Sequence, residues 1–414
     1  MTKIGFRSLW IAVLSLLVVA TGSRAQGRRG GMDSDSIVRQ YLVSNGPQGP
    51  IHGGESAVTD MILMGDGWVY GGTAATWGGK TCHLFRTDGV KSEPVLDVTQ
   101  RLPGQTKVSD LASGPDGILV GATTTYNEVF DDPSHRYEGG HLFTFDPKTR
   151  AFVDCGVIAA RQGINCLAVD SLHARILAVT YPAGHLVAYN YHDQQIKDFG
   201  EVMRPWRVKD LGRVSWRGVP KVLMLDDAGT VYFSAYVERA GGRIFRLAYG
   251  DDKPAFTGAI VPVQKGMDDD PLYETGIASA IRAKDGGFWC GTINDGFLFK
   301  FHPSTSTVVN KGKAFQYWNL RSLAYGGDDK LYMLGGRDYD NSWLLCYDPA
   351  AGSIDCLGWP NQTTQCGVIS ADRDGNILLA ENLRNSYIYV YGKSARVAPA
   401  ARRDAHAQLP PPRP

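Results

Sequence analysis

The chain has 414 residues and almost balanced charge, with 43 basic and 42 acidic residues. This balance provides no basic surface for nucleic acid and no preference for a membrane surface, so we expect neither as a partner. The 49 glycines, 9 tryptophans and 19 tyrosines are typical of a fold with many tight turns and aromatic packing.

The first 25 residues have the pattern of a secretory signal peptide. Lys3 and Arg7 precede the apolar run Leu9–Ala20, and Ser23-Arg24-Ala25 places small residues before a cleavage site. An uncleaved membrane anchor is the alternative, but the run is shorter than the ~20 residues that span a bilayer. We therefore predict a secreted or periplasmic protein whose mature chain begins near Gln26, with no membrane contact after cleavage.

One phrase recurs seven times along the chain: an apolar run, a turn on Asp or Gly, a second apolar run, a loop, and an aromatic third run. The copies begin near Val58, Val108, Ile164, Pro220, Ala278, Leu320 and Cys366. Repeats of about 40 to 55 residues made of short strands predict a β-propeller. We predict an all-β, seven-bladed β-propeller over residues 36–394, between a flexible leader (26–35) and a disordered tail (395–414) rich in Ala, Arg and Pro.

The two ends of the repeat region are complementary. The last copy has no outer strand after Tyr387–Tyr391, and a spare strand, Ile37–Val43, precedes the first copy. We expect the spare strand to complete the last blade and close the ring, because closure removes open strand edges. A single closed ring is expected to be a monomer.

The loops that join second to third strands, and the links between blades, vary in length and fall on one face. The second copy has the longest such loop, Ala122–Gly140, whereas first-to-second turns such as Pro115-Asp116-Gly117 are short. Variable loops on a rigid scaffold usually carry binding and catalysis.

Groups suited to an anionic sugar are concentrated in the second and third copies and nearby links. They are His135, Tyr137, His141, Tyr181, Arg204 and Arg207, with Trp77 and Trp206 as aromatic faces. Arg neutralises a carboxylate through paired hydrogen bonds, and His or Tyr transfers a proton. We expect these loops to meet at one cleft. His141 also occupies a repeated position, shared with His83 and His185, which favours a structural role as the alternative.

No nucleophile elbow, HExxH, P-loop or dinucleotide fingerprint is present in the sequence. The seven cysteines have no metal-binding spacing, so we predict no cofactor and no metal ligands, and leave a structural metal open. Local disulfides are compatible with export, with Cys155–Cys166, Cys346–Cys356 or Cys356–Cys366 as candidates. Burial of the thiols as small apolar side chains is the alternative.

The phrases Glu138–Pro147 and Val179–Leu186 resemble those of secreted seven-bladed propellers that act on uronic-acid glycans, namely ulvan lyases and related rhamnose–glucuronate lyases and α-L-rhamnosidases. The resemblance implies that an acidic polysaccharide or oligosaccharide is the partner and that cleavage is by β-elimination. It implies the following roles: His141 as one of a His pair, His135 as a replacement for the other, Tyr181 as base or acid, and Arg204 or Arg207 as the group that neutralises the uronate. The related rhamnosidases rely on a single essential His, for which His52 is the candidate.

Three functions follow from the sequence. The first is a polysaccharide lyase that cleaves a rhamnose–glucuronate type glycan. The second is an α-L-rhamnosidase that removes rhamnose from glucuronate. The third is a non-catalytic propeller that binds a glycan or a protein, because the fold alone specifies no activity.

Overall fold

The computed structural model describes residues 37–42, 55, 57–75, 80–125, 136–202, 206–207, 214–215, 219–237, 240–264, 275–316, 319–336, 342–360, 365–382 and 386–392. Over these residues the protein is all-β, with one short α-helix and one 3-10 turn. The predicted signal peptide, leader and C-terminal tail lie outside the described residues.

The strands follow the predicted copies in order, and each of the first six copies supplies one set of four. Strand β1 is Ile37–Leu42, and the first set is β2 (Ala57–Leu63), β3 (Val69–Ala74), β4 (His83–Thr87) and β5 (Ser92–Asp97), followed by helix α1 (Val98–Arg101). The second set is β6 (Lys107–Ser113), β7 (Leu119–Thr124), β8 (His141–Phe145) and β9 (Phe152–Val157), with the 3-10 turn at Pro115–Gly117. The third set is β10 (Gly163–Asp170), β11 (Arg175–Tyr181), β12 (His185–Asn190) and β13 (Ile196–Glu201).

A two-stranded element, β14 (Trp206–Arg207) with β15 (Val214–Ser215), precedes the fourth set. The fourth set is β16 (Met224–Leu225), β17 (Val231–Val237), β18 (Ala240–Leu247) and β19 (Ala255–Ile260). The fifth set is β20 (Ile277–Arg282), β21 (Phe288–Thr292), β22 (Phe297–His302) and β23 (Thr307–Lys313). The sixth set is β24 (Asn319–Tyr325), β25 (Leu331–Gly336), β26 (Trp343–Asp348) and β27 (Ser353–Gly358). The seventh copy supplies β28 (Cys366–Ala371), β29 (Ile377–Glu381) and β30 (Tyr387–Tyr391).

The sheets form a propeller arrangement, but they do not separate into seven as the sequence predicts. The third to seventh copies give five separate four-stranded sheets, whereas the first two copies share one eight-stranded sheet. The physical cause is a single bridge, in which Ala74 at the end of β3 pairs with Lys107 at the start of β6. The strand pairing therefore separates five of the seven predicted blades and does not separate the first two copies.

The first strand completes the sheet of the last copy. Strand β1 lies antiparallel to β30, from Ile37 opposite Tyr391 to Leu42 opposite Tyr387. This is the pairing that the sequence predicts for the spare N-terminal strand. It covers the edge of β30 that would otherwise be open to another chain.

The hydrophobic core lies in the interfaces between neighbouring sheets. One buried cluster joins Val120 and Leu142 of the second set to Ile164 and Ile176 of the third. Burial of such side chains stabilises each sheet against its neighbours, at roughly 25 cal/mol per Å² of apolar surface.

Glycines in the second strands allow an aromatic ring to lie against the backbone. A Cβ atom built on Gly121 would lie 2.1 Å from the Cζ atom of Phe143, and one on Gly71 would lie 2.3 Å from that of Phe85. Both Phe side chains are fully buried. The repeat therefore needs glycine at these positions for space.

We predict that Gly121→Ala lowers the free energy of unfolding by about 1 to 2 kcal/mol, because the added methyl group overlaps the Phe143 ring. Gly65→Ala is the matched control, since a Cβ there would meet nothing within 4 Å. Urea unfolding monitored by fluorescence measures both variants. Equal stability of the two variants would contradict the packing argument.

Two carboxylates tie neighbouring inner strands together. Asp60 accepts a hydrogen bond from the Leu111 backbone N–H at 2.9 Å, and Asp110 accepts one from the Leu167 N–H at 2.6 Å. Burial raises the pKa of both carboxyl groups, and the neighbouring charge of Asp60 raises the pKa of Asp110 further. These acids therefore serve as connections between sets.

Candidate functional site

A cleft of about 600 Å³ lies between loops of the first and second sets, and we call it the loop-face cleft. Its lining includes Lys80, Gln105, Thr106, Arg136, Tyr137 and Glu138. The cleft lies at the end of the sheets that carries the loops between second and third strands. Because successive strands are antiparallel, the links between sets lie at the same end. We call this end of the sheets the loop face and the opposite end the turn face.

Tyr137 forms a fixed wall of the loop-face cleft. It is 9% exposed, and its hydroxyl donates a hydrogen bond to Gln105 Oε1 at 2.9 Å. Gln105 is held in turn by Thr123 Oγ1 at 2.8 Å and by the Gly139 carbonyl at 2.8 Å. Burial raises the pKa of the Tyr137 hydroxyl, so it remains a neutral hydrogen-bond donor.

His141 starts β8 and is bonded to a carboxylate at both ring nitrogens. Its Nδ1 lies 2.9 Å from Asp154 Oδ1, and its Nε2 lies 2.9 Å from Glu138 Oε1. The second contact holds Glu138 at the edge of the cleft, where 61% of the Glu138 side chain is exposed. Through these two contacts His141 positions Glu138.

The same histidine position is paired with carboxylates in the two adjacent sets. His185 Nδ1 lies 2.8 Å from Asp198 Oδ2. His83 Nδ1 lies 2.7 Å from Glu55 Oε1, and its Nε2 lies 3.6 Å from Asp97 Oδ2. A contact repeated at equivalent positions favours the structural interpretation of His141.

The His83 pair is more deeply buried than the other two. Glu55 is 1% exposed and also accepts a hydrogen bond from Thr73 Oγ1. Burial by itself lowers the pKa of His83, but the hydrogen bond and charge of Glu55 outweigh it and raise the pKa. Sequence reasoning missed this pair. The available signal was that Glu55 occupies the repeat position held by Gln105 in the second copy.

The loops that carry His141 and Tyr181 lie side by side. The Gln162 carbonyl accepts a hydrogen bond from Gly140 N at 2.7 Å, and its Oε1 accepts one from Ala183 N at 2.8 Å. Tyr181 ends β11 opposite Gly163 and is half-buried against the core of the third and fourth sets. Its loop is therefore a neighbour of the loop-face cleft on the same face.

Most other sequence candidates lie outside the described residues, namely His52, Trp77, His135 and Arg204. Trp206 and Arg207 form β14, but their side chains are outside the description. The expected meeting of His141, Tyr181 and an arginine at one cleft stays a prediction. The cleft instead includes Lys80 and Glu138, which sequence reasoning did not single out.

The described residues contain no group of three or more His, Cys, Asp or Glu side chains that could hold a metal ion. All seven cysteines are free, so none of the three candidate disulfides forms. Six of the seven thiols lie in strands, and five of the seven are buried: Cys82, Cys166, Cys290, Cys346 and Cys366. Burial raises the pKa of the Cys290 thiol well above its usual value, as expected for an inert core side chain.

Comparison with known proteins identifies a fold but no family. No family model matches the chain, and no curated protein matches it. The extracellular domain of the hybrid two-component system BT4673 from B. thetaiotaomicron is 14% identical, with a TM-score of 0.56 over 85% of this chain. This chain spans 39% of the length of that protein.

Two smaller structures match over nearly their whole length. Virginiamycin B lyase from Staphylococcus aureus has a TM-score of 0.56 at 10% identity, covering 85% of this chain and 97% of that one. The WD40 β-propeller domain of Doa1 has a TM-score of 0.51 at 11% identity, covering 87% of this chain and 97% of that one. These likenesses show a β-propeller fold, and nothing in them supports the resemblance to ulvan lyases or rhamnosidases. Across the described residues, no helix is long and apolar enough to cross a membrane.

Proposed function

We propose that the loop-face cleft binds an acidic saccharide. The observation that carries the proposal is the convergence of Lys80 and Arg136 on one cleft, where both side chains are exposed to solvent. The acidic group in the lining, Glu138, is already hydrogen-bonded to His141. The cleft therefore offers two cations and a fixed aromatic wall, which suit the carboxylate and the ring of a uronate.

We further propose β-elimination as the reaction at this cleft. Arg136 would pair with the uronate carboxylate and stabilise the negative charge that develops when C5 loses its proton. Glu138 would accept that proton, the C5–H electron pair would form the C4=C5 double bond, and the C4–O bond would break. The leaving oxygen then takes up a proton, and no water is consumed. The roles inferred from resemblance for His141, Tyr181 and Arg204 or Arg207 are alternatives to this assignment.

We predict that Arg136→Ala and Lys80→Ala each weaken binding of a glucuronate oligosaccharide by about tenfold, equivalent to ~1.4 kcal/mol. Lys148→Ala is the matched control, because this exposed lysine lies in the turn after β8, on the turn face. Isothermal titration at low and high salt measures the effect, which salt should weaken. The proposal would be contradicted if the protein bound a neutral oligosaccharide of the same length as tightly as the acidic one. It would also be contradicted if the control variant lost as much affinity as the two cleft variants.

The reaction is tested with a glycan that contains rhamnose linked to glucuronate. Ultraviolet absorbance reports the conjugated double bond of an elimination product, and free rhamnose is measured in parallel. A rise in absorbance that Glu138→Gln abolishes supports the lyase. Free rhamnose without absorbance supports a hydrolase and directs attention to His52, whereas binding with neither product supports a non-catalytic glycan-binding propeller.

We also infer that the sheets make seven blades in a closed ring, by counting the eight-stranded sheet as two blades joined by the Ala74–Lys107 bridge. Two observations support this count. A cavity of about 670 Å³ is lined by residues in or next to the first strand of all seven copies. One buried cluster also joins Val58 and Phe85 of the first copy to Val368 and Ile388 of the last. A crystal structure with another number of blades would overturn the count.

We propose that the protein is exported. The signal-peptide pattern in the first 25 residues supports this, as does the likeness to an extracellular domain. Sequencing of the secreted protein should begin near Gln26, and a secreted chain that retains Leu9–Ala20 would contradict the proposal.

A further inference from the structure

A second cavity, of about 330 Å³, lies on the turn face between the third and fourth sets, and we call it the turn-face groove. It is formed by the β10–β11 turn and the β12–β13 turn of the third set with the β18–β19 turn of the fourth. Because strands alternate in direction, these turns are at the opposite end of the sheets from the loop-face cleft. The two cavities are therefore separate.

The β10–β11 turn departs from the repeat. The first, second, fifth and seventh copies use an Asp-Gly turn such as Asp116-Gly117 or Asp285-Gly286, and the fourth and sixth use other turns that contain Asp and Gly, whereas the third copy has Asp170 followed by Ser, Leu and His173. Asp170 is 1% exposed and contacts two side chains, His173 Nδ1 at 2.8 Å and Arg175 Nε at 2.8 Å. Unlike the first turns of the other six copies, this turn contains no glycine and carries a histidine, which makes it a position at which to look for function.

This cluster holds an exposed aromatic ring in place. Tyr249 stacks on the His173 ring with centroids 3.8 Å apart and planes at 10°, and the Arg175 guanidinium lies 5.0 Å from the Tyr249 centroid. Tyr249 nevertheless keeps 59% of its surface exposed. The contacts therefore fix the ring while leaving a large part of it accessible to a ligand.

Both cationic side chains that line the groove are already paired with carboxylates. Arg175 pairs with Asp170, and Lys197 pairs with Asp252 at 2.9 Å while lying 5.0 Å from the Phe199 ring. The two acidic residues of the lining, Asp193 and Asp251, accept backbone N–H groups of their own turns. A groove with an aromatic platform, paired cations and two further carboxylates matches a neutral polar ligand better than an anion.

The remaining lining groups can form hydrogen bonds. The amide side chains of Asn190 and Gln195 lie in the groove beside Ile196 and Tyr249. A pyranose ring has an apolar C–H face that packs on an aromatic ring and hydroxyl groups that bond to amides. The cavity volume is within the range of small-ligand sites.

We propose that the turn-face groove is a second saccharide site, which binds a neutral pyranose on the Tyr249 ring. It does not depend on the loop-face cleft, because the two cavities share no lining residue and bind ligands of different charge. Such a site on the opposite face would hold the protein on a polysaccharide surface while the loop-face cleft remains accessible.

The test uses saturation-transfer NMR of the full chain with the methyl pyranosides of glucose, galactose, mannose and rhamnose. At least one should bind, and Tyr249→Ala should weaken that binding by about tenfold or more. Tyr249→Phe should retain it. Phe256→Ala is the matched control, because Phe256 is an exposed aromatic residue of the fourth set that lies beside Arg243 outside the groove.

Absence of binding by all four pyranosides, or full binding by Tyr249→Ala, would overturn the second site. Gln195→Ala provides a variant that leaves the stack on His173 intact, and it should weaken binding while the thermal unfolding midpoint stays unchanged. Arg136→Ala separates the two proposals. It should leave neutral pyranoside binding unchanged while weakening the glucuronate oligosaccharide, and loss of pyranoside binding in this variant would contradict the turn-face assignment.

Discussion

Glu55→Gln is expected to lower the free energy of unfolding by about 3 kcal/mol at mildly acidic pH, because it breaks a buried ion pair with His83. Gln keeps an oxygen for Thr73 Oγ1 and reproduces the arrangement of Gln105 and Thr123 in the second set. It removes the charge that His83 faces at 2.7 Å. Urea unfolding of wild type and variant at several pH values measures the difference.

The size of this effect depends on pH. The pKa of His83 is raised in the folded protein, so the stabilisation is fully present below the unfolded His pKa of about 6.5. It is lost as pH rises through the higher folded pKa. The variant should therefore differ most from wild type near pH ~5.5 and least near pH ~9.

Asp198→Asn provides the control for the Glu55 variant, because its partner His185 is one-third exposed. Screening by water limits the value of that pair to less than about 1 kcal/mol. A Glu55→Gln loss that is no larger than the Asp198→Asn loss, or that grows toward alkaline pH, would contradict the assignment of a charged His83.

Asp110→Ala is expected to cost about 3 kcal/mol of stability, since it removes the acceptor of the Leu167 N–H at 2.6 Å. A buried N–H without a partner loses the hydrogen bond it would otherwise make to water. Asp60→Ala should cost a similar amount, because it releases the Met61 N–H, which donates to Asp60 Oδ1 at 2.8 Å, while the Leu111 N–H still donates to Asp110 Oδ1 at 3.1 Å. A loss of less than about 1 kcal/mol in both variants would show that these acids do not connect the sets as described.

Asp110→Asn separates the charge from the hydrogen bond. The pKa of Asp110 is raised by burial and by Asp60. The stability that the protonated carboxyl group contributes is therefore fully present below the unfolded Asp pKa of about 3.9. That contribution is lost as pH rises through the folded pKa. Stability of the Asn variant relative to wild type should therefore improve between acidic and neutral pH, and a constant difference would contradict the raised pKa.

The strand order could be predicted from the sequence because each copy repeats the same physical pattern. Apolar runs separated by Asp-Gly turns specify antiparallel strands, and the missing outer strand after β30 implies the pairing with β1. The joining of the first two sets could not be predicted. It depends on one bridge between Ala74 and Lys107, which no local pattern encodes.

The candidate site was less predictable than the fold. Sequence reasoning placed Tyr137 on the loop face, where it lines the loop-face cleft, and gave His141 two alternative roles, of which the carboxylate contacts favour the structural one. Lys80 and Glu138 were missed because isolated charged residues carry no spacing signal. Only the tertiary approach of loops from two sets brings them to one cleft.

The measurement that tests the central claim most directly is a crystal structure of the protein with a bound glucuronate oligosaccharide. We expect a uronate carboxylate within hydrogen-bond distance of Arg136 or Lys80, with a sugar ring beside Tyr137 in the loop-face cleft. Binding of the acidic sugar elsewhere, with the cleft empty at a saturating concentration, would contradict the account.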